Sequence, residues 1–278
     1  MAEWLSVHVH YRGDLDVLLR DAVAPLVRDN GFFLRYWDGG SHVRVRLRHA
    51  DRSIVAERLH GYLAASPAPE TTSPQEYARL APVLAAREGM TGHLPLRPNN
   101  SIEFVPYQPE LGKYGGNLAA VERHFTESSR LALDVLHRRP SGNQRAVAVL
   151  GVLLLAWDAA DGSPDAVEEL CRGWRGGQDL PDSLVEAEFA PMRDRLAALA
   201  GSVRSLPPRP GDPGSSLAAW AATFGELSAR LPAADRLRVL DNCAHLTANR
   251  LGVPMAEEVR LRLLASQALR ETLPAGRR

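Results

Sequence analysis

Residues 32–49 read FFLRYWDGGSHVRVRLRH and predict a β-hairpin. Two runs rich in aromatic and β-branched residues flank Asp38-Gly39-Gly40-Ser41, which is typical of a tight turn. In the second run, alternation with period two places Val43, Val45 and Leu47 on one face of the strand. The other face carries His42, Arg44, Arg46 and Arg48. One face of this hairpin is therefore apolar and the other basic.

Elements on both sides of the hairpin extend it into a sheet. Residues 4–11 alternate as a strand, and residues 15–27 carry apolar side chains at helical spacing after Asp14, a typical N-cap. After the hairpin come an amphipathic helix over residues 51–64, a proline-rich loop with a short helix, and a fourth strand over residues 101–106. The order β-α-β-β-α-β is typical of a ferredoxin-like unit, here with an insertion before its last strand.

Beyond Gly116 the pattern is almost wholly helical, apart from a proline-rich loop predicted over residues 205–214. We therefore predict an α+β protein. A ferredoxin-like βαββαβ part occupies residues 1–116 and a mostly helical bundle occupies residues 117–278. The two parts are either separate domains or one fused unit.

Composition excludes several classes of function. The 278 residues hold 33 basic and 33 acidic side chains, so bulk charge gives no reason to expect direct binding of nucleic acid or a membrane. Two cysteines cannot build a disulfide framework, and the sequence has no metal motif, P-loop, dinucleotide-binding glycine motif or nucleophile elbow. We therefore predict neither a metal nor a cofactor. The apolar stretch over residues 146–157 is too short to span a bilayer, and we expect a cytoplasmic protein.

The arginines of the third strand have three competing explanations. They form a solvated outer face, they pair with carboxylates of neighbouring helices, or they bind an anion, since guanidinium groups grip carboxylate and phosphate in bidentate fashion. The first strand favours the anion site. Its polar face carries Ser6, His8 and His10, which lie beside the arginines if the first and third strands pair.

Two further segments are candidates. The loop over residues 104–116, FVPYQPELGKYGG, is shaped by prolines and glycines around its tyrosines, and either joins the two parts or binds an anion at the start of the next helix. Later, Asp241, His245 and Asn249 fall on one helical face, where the carboxylate could orient the imidazole for acid–base work. A buried histidine satisfied by Asp241 is the structural alternative for that pair.

Together these segments resemble the C-terminal, glutamate-eliminating domain of class I lantibiotic dehydratases, in the free-standing form of thiopeptide-type pathways. The resemblance covers most of the chain. It rests on residues 32–46, on Tyr107-Gln108-Pro109-Glu110 with Lys113-Tyr114-Gly115-Gly116, on the helix with Glu122, Phe125 and Ser128-Ser129, and on His245-Leu246 with Asn249-Arg250.

The resemblance implies a peptide-modifying lyase. In that family a partner transfers glutamate from glutamyl-tRNA to Ser or Thr of a precursor peptide, and the elimination domain expels it to leave dehydroalanine or dehydrobutyrine. By this resemblance Arg44 and Arg46 bind the glutamyl carboxylates and the enolate oxygen, and His245 is the acid–base residue. The implied substrate-binding residues are His8, His10, Arg35, His42, Tyr107, Lys113, Tyr114, Asn249 and Arg250. The family's dehydratases usually have arginine within the tyrosine–glycine loop, where this chain has Pro109 and Lys113, and Lys113 is the expected replacement for that cation.

Two alternatives remain open. The same fold serves pyridine synthases, which join two dehydroalanines by a formal aza-cycloaddition and then expel water and the leader peptide. The arginine pair favours elimination, because a cycloaddition has no glutamate to hold. The second alternative is a non-catalytic subunit that binds the leader peptide along a sheet edge. The implied partners are a precursor peptide with its leader and a glutamyl-tRNA-dependent glutamylating protein, and a homodimer is also compatible with the sequence.

Overall fold

Four strands form one antiparallel sheet: β1 (Trp4–His10), β2 (Gly31–Tyr36), β3 (His42–Arg48) and β4 (Ser101–Phe104). Their order across the sheet is β2-β3-β1-β4. The computed structural model describes residues 4–28, 30–109, 113–114, 116–174, 182–204 and 216–272. Within these, the predicted α+β class is confirmed: a four-stranded antiparallel sheet comes first and a mostly helical region follows.

The sheet forms because its strands are amphipathic with period two. Val7, Val9, Val43 and Val45 are fully buried on one face. The helical segments α1 (Leu15–Leu18) and α2 (Ala24–Val27), joined by a π-helical turn, and helix α3 (Arg52–Ala65) supply further buried leucines and valines to this core. Asp14 caps α1 as predicted, accepting hydrogen bonds from the backbone N–H groups of Asp16 and Val17.

The turn between β2 and β3 is held by the insertion that precedes β4. Gly39 and Gly40 both have positive φ, and a side chain at Gly40 would meet Leu96 at 2.7 Å, so this turn requires glycine. Helix α4 (Pro74–Arg87) supplies Tyr77, whose hydroxyl accepts a hydrogen bond from the Gly39 N–H at 2.6 Å. The backbone N–H of Arg97 donates to the Gly39 carbonyl at 2.8 Å. The insertion thus stabilises the hairpin turn through hydrogen bonds to both backbone groups of Gly39.

The remaining described elements are helical: α5 (Leu118–His137), α6 (Gly142–Ala159), α7 (Pro164–Trp174), α8 (Asp182–Phe189), α9 (Arg193–Arg204), α10 (Ser216–Arg230), α11 (Ala233–Arg250) and α12 (Met255–Thr272). Helix α6 packs on α11, and α12 packs on α6, α7 and α9. A 3-10 turn that contains Pro191 separates α8 from α9, because proline lacks the N–H that a continuous helix needs. The loop predicted over residues 205–214 lies outside the described residues.

The chain divides into two units: Met1–Pro109 with Ala132–His137, and Glu110–Leu131 with Arg138–Arg278. In the second unit, the largest apolar side chains that are fully buried are those of Trp157, Trp220, Phe189 and Phe224. Among the described residues, no helix combines the length and the apolar character needed to cross a bilayer.

Candidate functional site

The polar face of the sheet brings together side chains from β1 and β3. The register places Ser6 opposite Arg46, His8 opposite Arg44 and His10 opposite His42. Directly opposed residues of antiparallel strands project to the same face, so these six side chains form one cluster. We call Ser6, His8, His10, His42, Arg44 and Arg46 the sheet-face cluster. Four of the six are buried, including Arg46, whereas His8 and Arg44 are half-buried, so a solvated outer face does not explain Arg46.

The three imidazoles of the sheet-face cluster lie against one another. Ring centroids are 5.0 Å apart for His8 and His42 and 4.8 Å apart for His10 and His42. His42 Nδ1 donates to the Gly40 carbonyl at 2.8 Å, because a carbonyl oxygen can only accept. Arg44 Nε donates to His42 Nε2 at 3.3 Å. Each ring nitrogen of His42 therefore has the role that it has in the neutral imidazole.

Burial and the nearby arginines keep these histidines neutral. Desolvation is the main cause in each case, and it lowers the pKa of His8 to about 2, of His42 to about 3 and of His10 to about 4. Glu103 opposes the shift at His10, since its carboxylate lies 3.9 Å from Nε2. Both ring nitrogens of His10 are buried without a hydrogen-bond partner among the described residues. His10 is therefore a buried polar group that a substrate could satisfy.

Arg46 is the buried cation of the sheet-face cluster, and only 9% of its surface is exposed. Its guanidinium donates to the Val45 carbonyl at 3.1 Å and to His8 Nε2 at 3.3 Å, and it lies 5.7 Å from the centre of the Tyr107 ring. None of these described contacts is a carboxylate. Burial, with the nearby Arg44, lowers the pKa of Arg46 to about 10. A buried guanidinium among neutral groups favours an anion or a developing negative charge.

Two aromatic residues complete this face. The Arg44 guanidinium stacks on the Tyr36 ring, 3.4 Å from its centre. Tyr107, predicted as a substrate-binding residue, packs edge-on against Trp4 and Phe32 and is brought beside Arg46. Tyr36 is a site residue that was not predicted from the sequence, although its place opposite His42 in the hairpin was a usable signal.

Arg35 is not part of the sheet-face cluster. It lies opposite Val43 in the register and therefore projects to the helix-covered face. Its guanidinium forms an ion pair with Asp16 at 2.5 Å. The structure thus separates Arg35 from the arginines with which it was grouped, because a shift of one residue along a strand changes the face.

The other predicted binding residues lie in the second unit. Lys113 is exposed, and the Tyr114 hydroxyl accepts a hydrogen bond from Asn242 at 3.2 Å. Asn249 is half-buried one helical turn after His245. Arg250 is fully buried in the helical core, where Nε donates to Ser129 Oγ at 3.1 Å and burial lowers its pKa to about 9. Arg250 is therefore a core residue of α11.

His245 is held by a different carboxylate from the one that the sequence predicts. Its Nδ1 lies 2.8 Å from Glu258 Oε2, on α12. Arg262, one turn further along α12, donates two hydrogen bonds to Glu258 Oε1, at 3.0 and 2.8 Å. Asp241 instead accepts from Arg262 at 2.5 Å. The prediction that Asp241 orients His245 is wrong.

Two tryptophans enclose this group. The indole N–H groups of Trp157 and Trp174 donate to the two oxygens of Asp241, at 2.9 and 3.0 Å. The Trp174 ring lies beside the His245 ring, with 4.8 Å between centres. An open cavity of about 190 Å³ is lined by Lys113, Leu170, Trp174, Arg238, Asp241 and Asn242. We call Asp241, His245, Glu258 and Arg262 the buried charge network.

Among the described residues, no three His, Cys, Asp or Glu side chains are arranged to hold a metal ion. In the sheet-face cluster the imidazole nitrogens that have partners point to arginines and a backbone carbonyl.

The neutral histidines predict a pH-dependent stability. Their pKa values in the folded protein lie below the ordinary value of 6.5, so the unfolded chain binds more protons as the pH falls below 6.5. The free energy of unfolding that the neutral histidines contribute is therefore fully present above pH 6.5 and is lost as the pH falls toward their lowered pKa values. Between pH 6.5 and pH 5 we expect a loss of about 1 kcal/mol per pH unit for each deeply buried histidine, read from urea unfolding.

Substitution localises this effect. His42→Gln should reduce the slope of unfolding free energy against pH, while His60→Gln, at an exposed position of α3, should leave it unchanged. An unchanged slope in His42→Gln would contradict the assignment of a buried, neutral His42.

Comparisons with known proteins identify the family and the fold. The family model described as lantibiotic biosynthesis dehydratase C-term matches residues 4–269. Among solved structures, the pyridine synthase TbtD from thiomuracin biosynthesis superposes with a TM-score of 0.76 at 20% identity, covering 97% of this chain and 98% of that one. A comparison with curated protein sequences found no match.

Two further solved structures share the fold. TsrL superposes with a TM-score of 0.64 at 15% identity and covers 98% of this chain and 95% of its own. The tRNA-dependent lantibiotic dehydratase MibB from Microbispora sp. 107891 superposes with a TM-score of 0.56 at 23% identity, over 97% of this chain but 28% of the larger protein. Since the family match extends over nearly the whole sequence, this chain belongs to the lantibiotic dehydratase C-terminal domain family.

Proposed function

We propose that this chain is a pyridine-forming enzyme of ribosomal peptide biosynthesis, acting on a precursor peptide that already carries dehydroalanines. One observation carries the proposal: over the same 97% of this chain, the fold superposes on the pyridine synthase TbtD with a TM-score of 0.76 and on the dehydratase MibB with a TM-score of 0.56. The sequence had favoured glutamate elimination over pyridine formation because of Arg44 and Arg46, and the structural comparison favours pyridine formation instead. Its substrate is thus a peptide with a leader.

The proposed reaction places specific demands on the site. The amide next to one dehydroalanine must act as its iminol tautomer, with its proton moved from nitrogen to oxygen. The two alkenes and this C=N unit then close a six-membered ring, which loses the iminol oxygen as water and loses the leader peptide. Groups that stabilise charge on that oxygen, and groups that move the proton, are the catalytic requirements.

Arg46 meets the first demand. A buried guanidinium whose described contacts are a carbonyl, an imidazole and an aromatic ring can donate to an amide oxygen that gains negative charge. Such donors act strongly in a site from which water is excluded. We assign Arg46 to the oxygen and assign Arg44, stacked on Tyr36, to the same peptide segment.

The three imidazoles of the sheet-face cluster serve hydrogen bonding. Their low pKa values make them weak bases, so we assign His8, His10 and His42 to holding the arginines and the peptide. The proton-transfer role is assigned to His245, whose Nδ1 is fixed by Glu258. Tyr107, Lys113, Tyr114 and Asn249 remain proposed peptide contacts. We assign no peptide contact to Arg35, which is paired with Asp16, or to Arg250, which is bonded to Ser129 in the helical core.

Glutamate elimination is the second candidate, and Arg46 is the observation that favours it. A glutamyl carboxylate would supply the anion that the described contacts of Arg46 lack. In that case a glutamyl-tRNA-dependent partner protein must supply the glutamylated peptide. The organisation proposed from sequence, a ferredoxin-like part to residue 116 and a helical part after it, suits both reactions.

A two-substrate assay distinguishes the candidates. The protein alone is incubated with a multiply dehydrated precursor peptide and, separately, with a glutamylated one, and both are followed by mass spectrometry. We expect loss of the leader peptide and of one water from the dehydrated peptide, with the glutamylated peptide unchanged. Release of glutamate with formation of dehydroalanine would establish elimination instead.

A third outcome is informative as well. Binding of the leader peptide with no change to either substrate would contradict both reactions and support a non-catalytic peptide-binding subunit. A dehydrated peptide that lacks the leader is the matched control. Pyridine formation and leader binding both require the leader, so neither should be observed with this peptide.

A further inference from the structure

The buried charge network contains more buried charge than a helix joint needs. Asp241, Glu258 and Arg262 are each about 1% exposed or less, and they lie on adjacent turns of α11 and α12. Taking charges out of water is costly, and a set of well-packed apolar residues would serve the joint at least as well. The position of His245 at the end of this network points to a use for it.

We propose that Glu258 is a positioning residue that fixes His245 in one tautomer, and that Arg262 and Asp241 hold Glu258 in place for this purpose. A carboxylate oxygen can only accept, so the hydrogen at the 2.8 Å contact belongs to His245 Nδ1. The other nitrogen, Nε2, is then left to accept or return a proton. The inference rests on the proposed function only where it concerns catalysis.

Arg262 determines which oxygen of Glu258 faces the histidine. Its Nε and one Nη donate to Oε1, so Oε2 is turned to His245. The second Nη of Arg262 is held by Asp241. Asp241 is in turn fixed by the indoles of Trp157 on α6 and Trp174 on α7. Four helices thus set the orientation of one imidazole.

The charge balance is consistent with this role. Two carboxylates and one guanidinium leave one negative charge, and a protonated His245 would compensate it. Burial raises the pKa of Glu258, but the hydrogen bond from His245 and the Arg262 guanidinium outweigh burial, and the net shift of the pKa is downward, so this carboxylate stays ionised. An ionised Glu258 stabilises the imidazolium that forms when Nε2 takes up a proton.

The test is Glu258→Gln, read by the ¹⁵N chemical shifts of His245 in the full chain. In the variant, Arg262 keeps the amide oxygen of glutamine, so the amide NH₂ faces Nδ1 and Nδ1 becomes the acceptor. We expect the wild type to show Nδ1–H in alkaline buffer and the variant to show the opposite tautomer, Nε2–H. Conversion of the dehydrated peptide should fall at least about 100-fold in kcat, because the wrong tautomer is presented.

Matched variants separate positioning from structure. Glu257→Gln removes a neighbouring carboxylate that pairs with Arg260 at the surface, and should leave the His245 tautomer and kcat unchanged. Arg262→Lys should keep Nδ1–H, since Glu258 remains. If Glu258→Gln folds and His245 keeps Nδ1–H, the proposal is overturned.

The measurement on wild type keeps the proposal testable if Glu258→Gln does not fold. Nε2–H in the wild-type protein would overturn it directly. Absence of turnover on both peptide substrates would instead defeat the proposed function, while the tautomer result would still stand or fall on its own.

Discussion

Arg46→Gln is expected to reduce conversion of the multiply dehydrated peptide by at least about 100-fold in kcat, the usual cost of one lost donor to a charged transition state. Glutamine keeps a polar side chain at the position but loses the charge and the forked donors. Steady-state kinetics of leader release measure the effect. The Michaelis constant should change less than kcat, because the charge on the amide oxygen develops mainly in the transition state.

The stability of Arg46→Gln is part of the same prediction. The wild-type guanidinium is buried with described contacts to a carbonyl, an imidazole and a ring, so its removal relieves a desolvation cost. We therefore expect an unchanged or higher Tm together with the lost activity. Arg48→Gln, two residues along β3 and over the Trp4 ring, is the matched control and should retain turnover. Full activity in Arg46→Gln would remove the sheet-face cluster from the mechanism.

The hairpin and the pairing of the first and third strands could be predicted from the sequence, because apolar and polar residues alternate along these strands. Alternation in residues 32–49 predicted the hairpin, and pairing of the first and third strands predicted that Ser6, His8 and His10 would meet the arginines. The same alternation should have excluded Arg35, which is one residue out of phase with Tyr36. Burial of the basic face was not accessible, because it depends on chain segments distant in sequence.

The buried charge network shows where local patterns stop being informative. Asp241 lies one helical turn before His245, so spacing alone pairs them. In the structure His245 pairs with Glu258, 13 residues later, because the turn of α12 that carries Glu258 lies beside the turn of α11 that carries His245. The signal for this was weak: Glu258 and Arg262 have the spacing of an ordinary surface ion pair, and nothing local marks them as buried.

Arg262→Met is expected to be the most destabilising of these substitutions, by about 3–5 kcal/mol, because it leaves two buried carboxylates without their shared cation. Methionine matches the length of the side chain, so the loss measures charge rather than volume. Urea unfolding at neutral pH gives the free energy. Arg260→Met is the matched control: this arginine is on the same helix but at the surface, where ion pairs contribute about 0–1 kcal/mol.

The source of that destabilisation can be isolated by neutralising the stranded carboxylates. Asp241→Asn and Glu258→Gln, added to Arg262→Met, remove both unpaired charges and should recover a large part of the lost stability. Stability recovered in this way, with activity still absent, is the result expected if the network exists to control His245. If the triple variant stays as unstable as Arg262→Met alone, unpaired charge is not the source of the destabilisation, and the hydrogen bonds from Trp157 on α6 and Trp174 on α7 to position 241 matter more for the packing of α11 than charge pairing does.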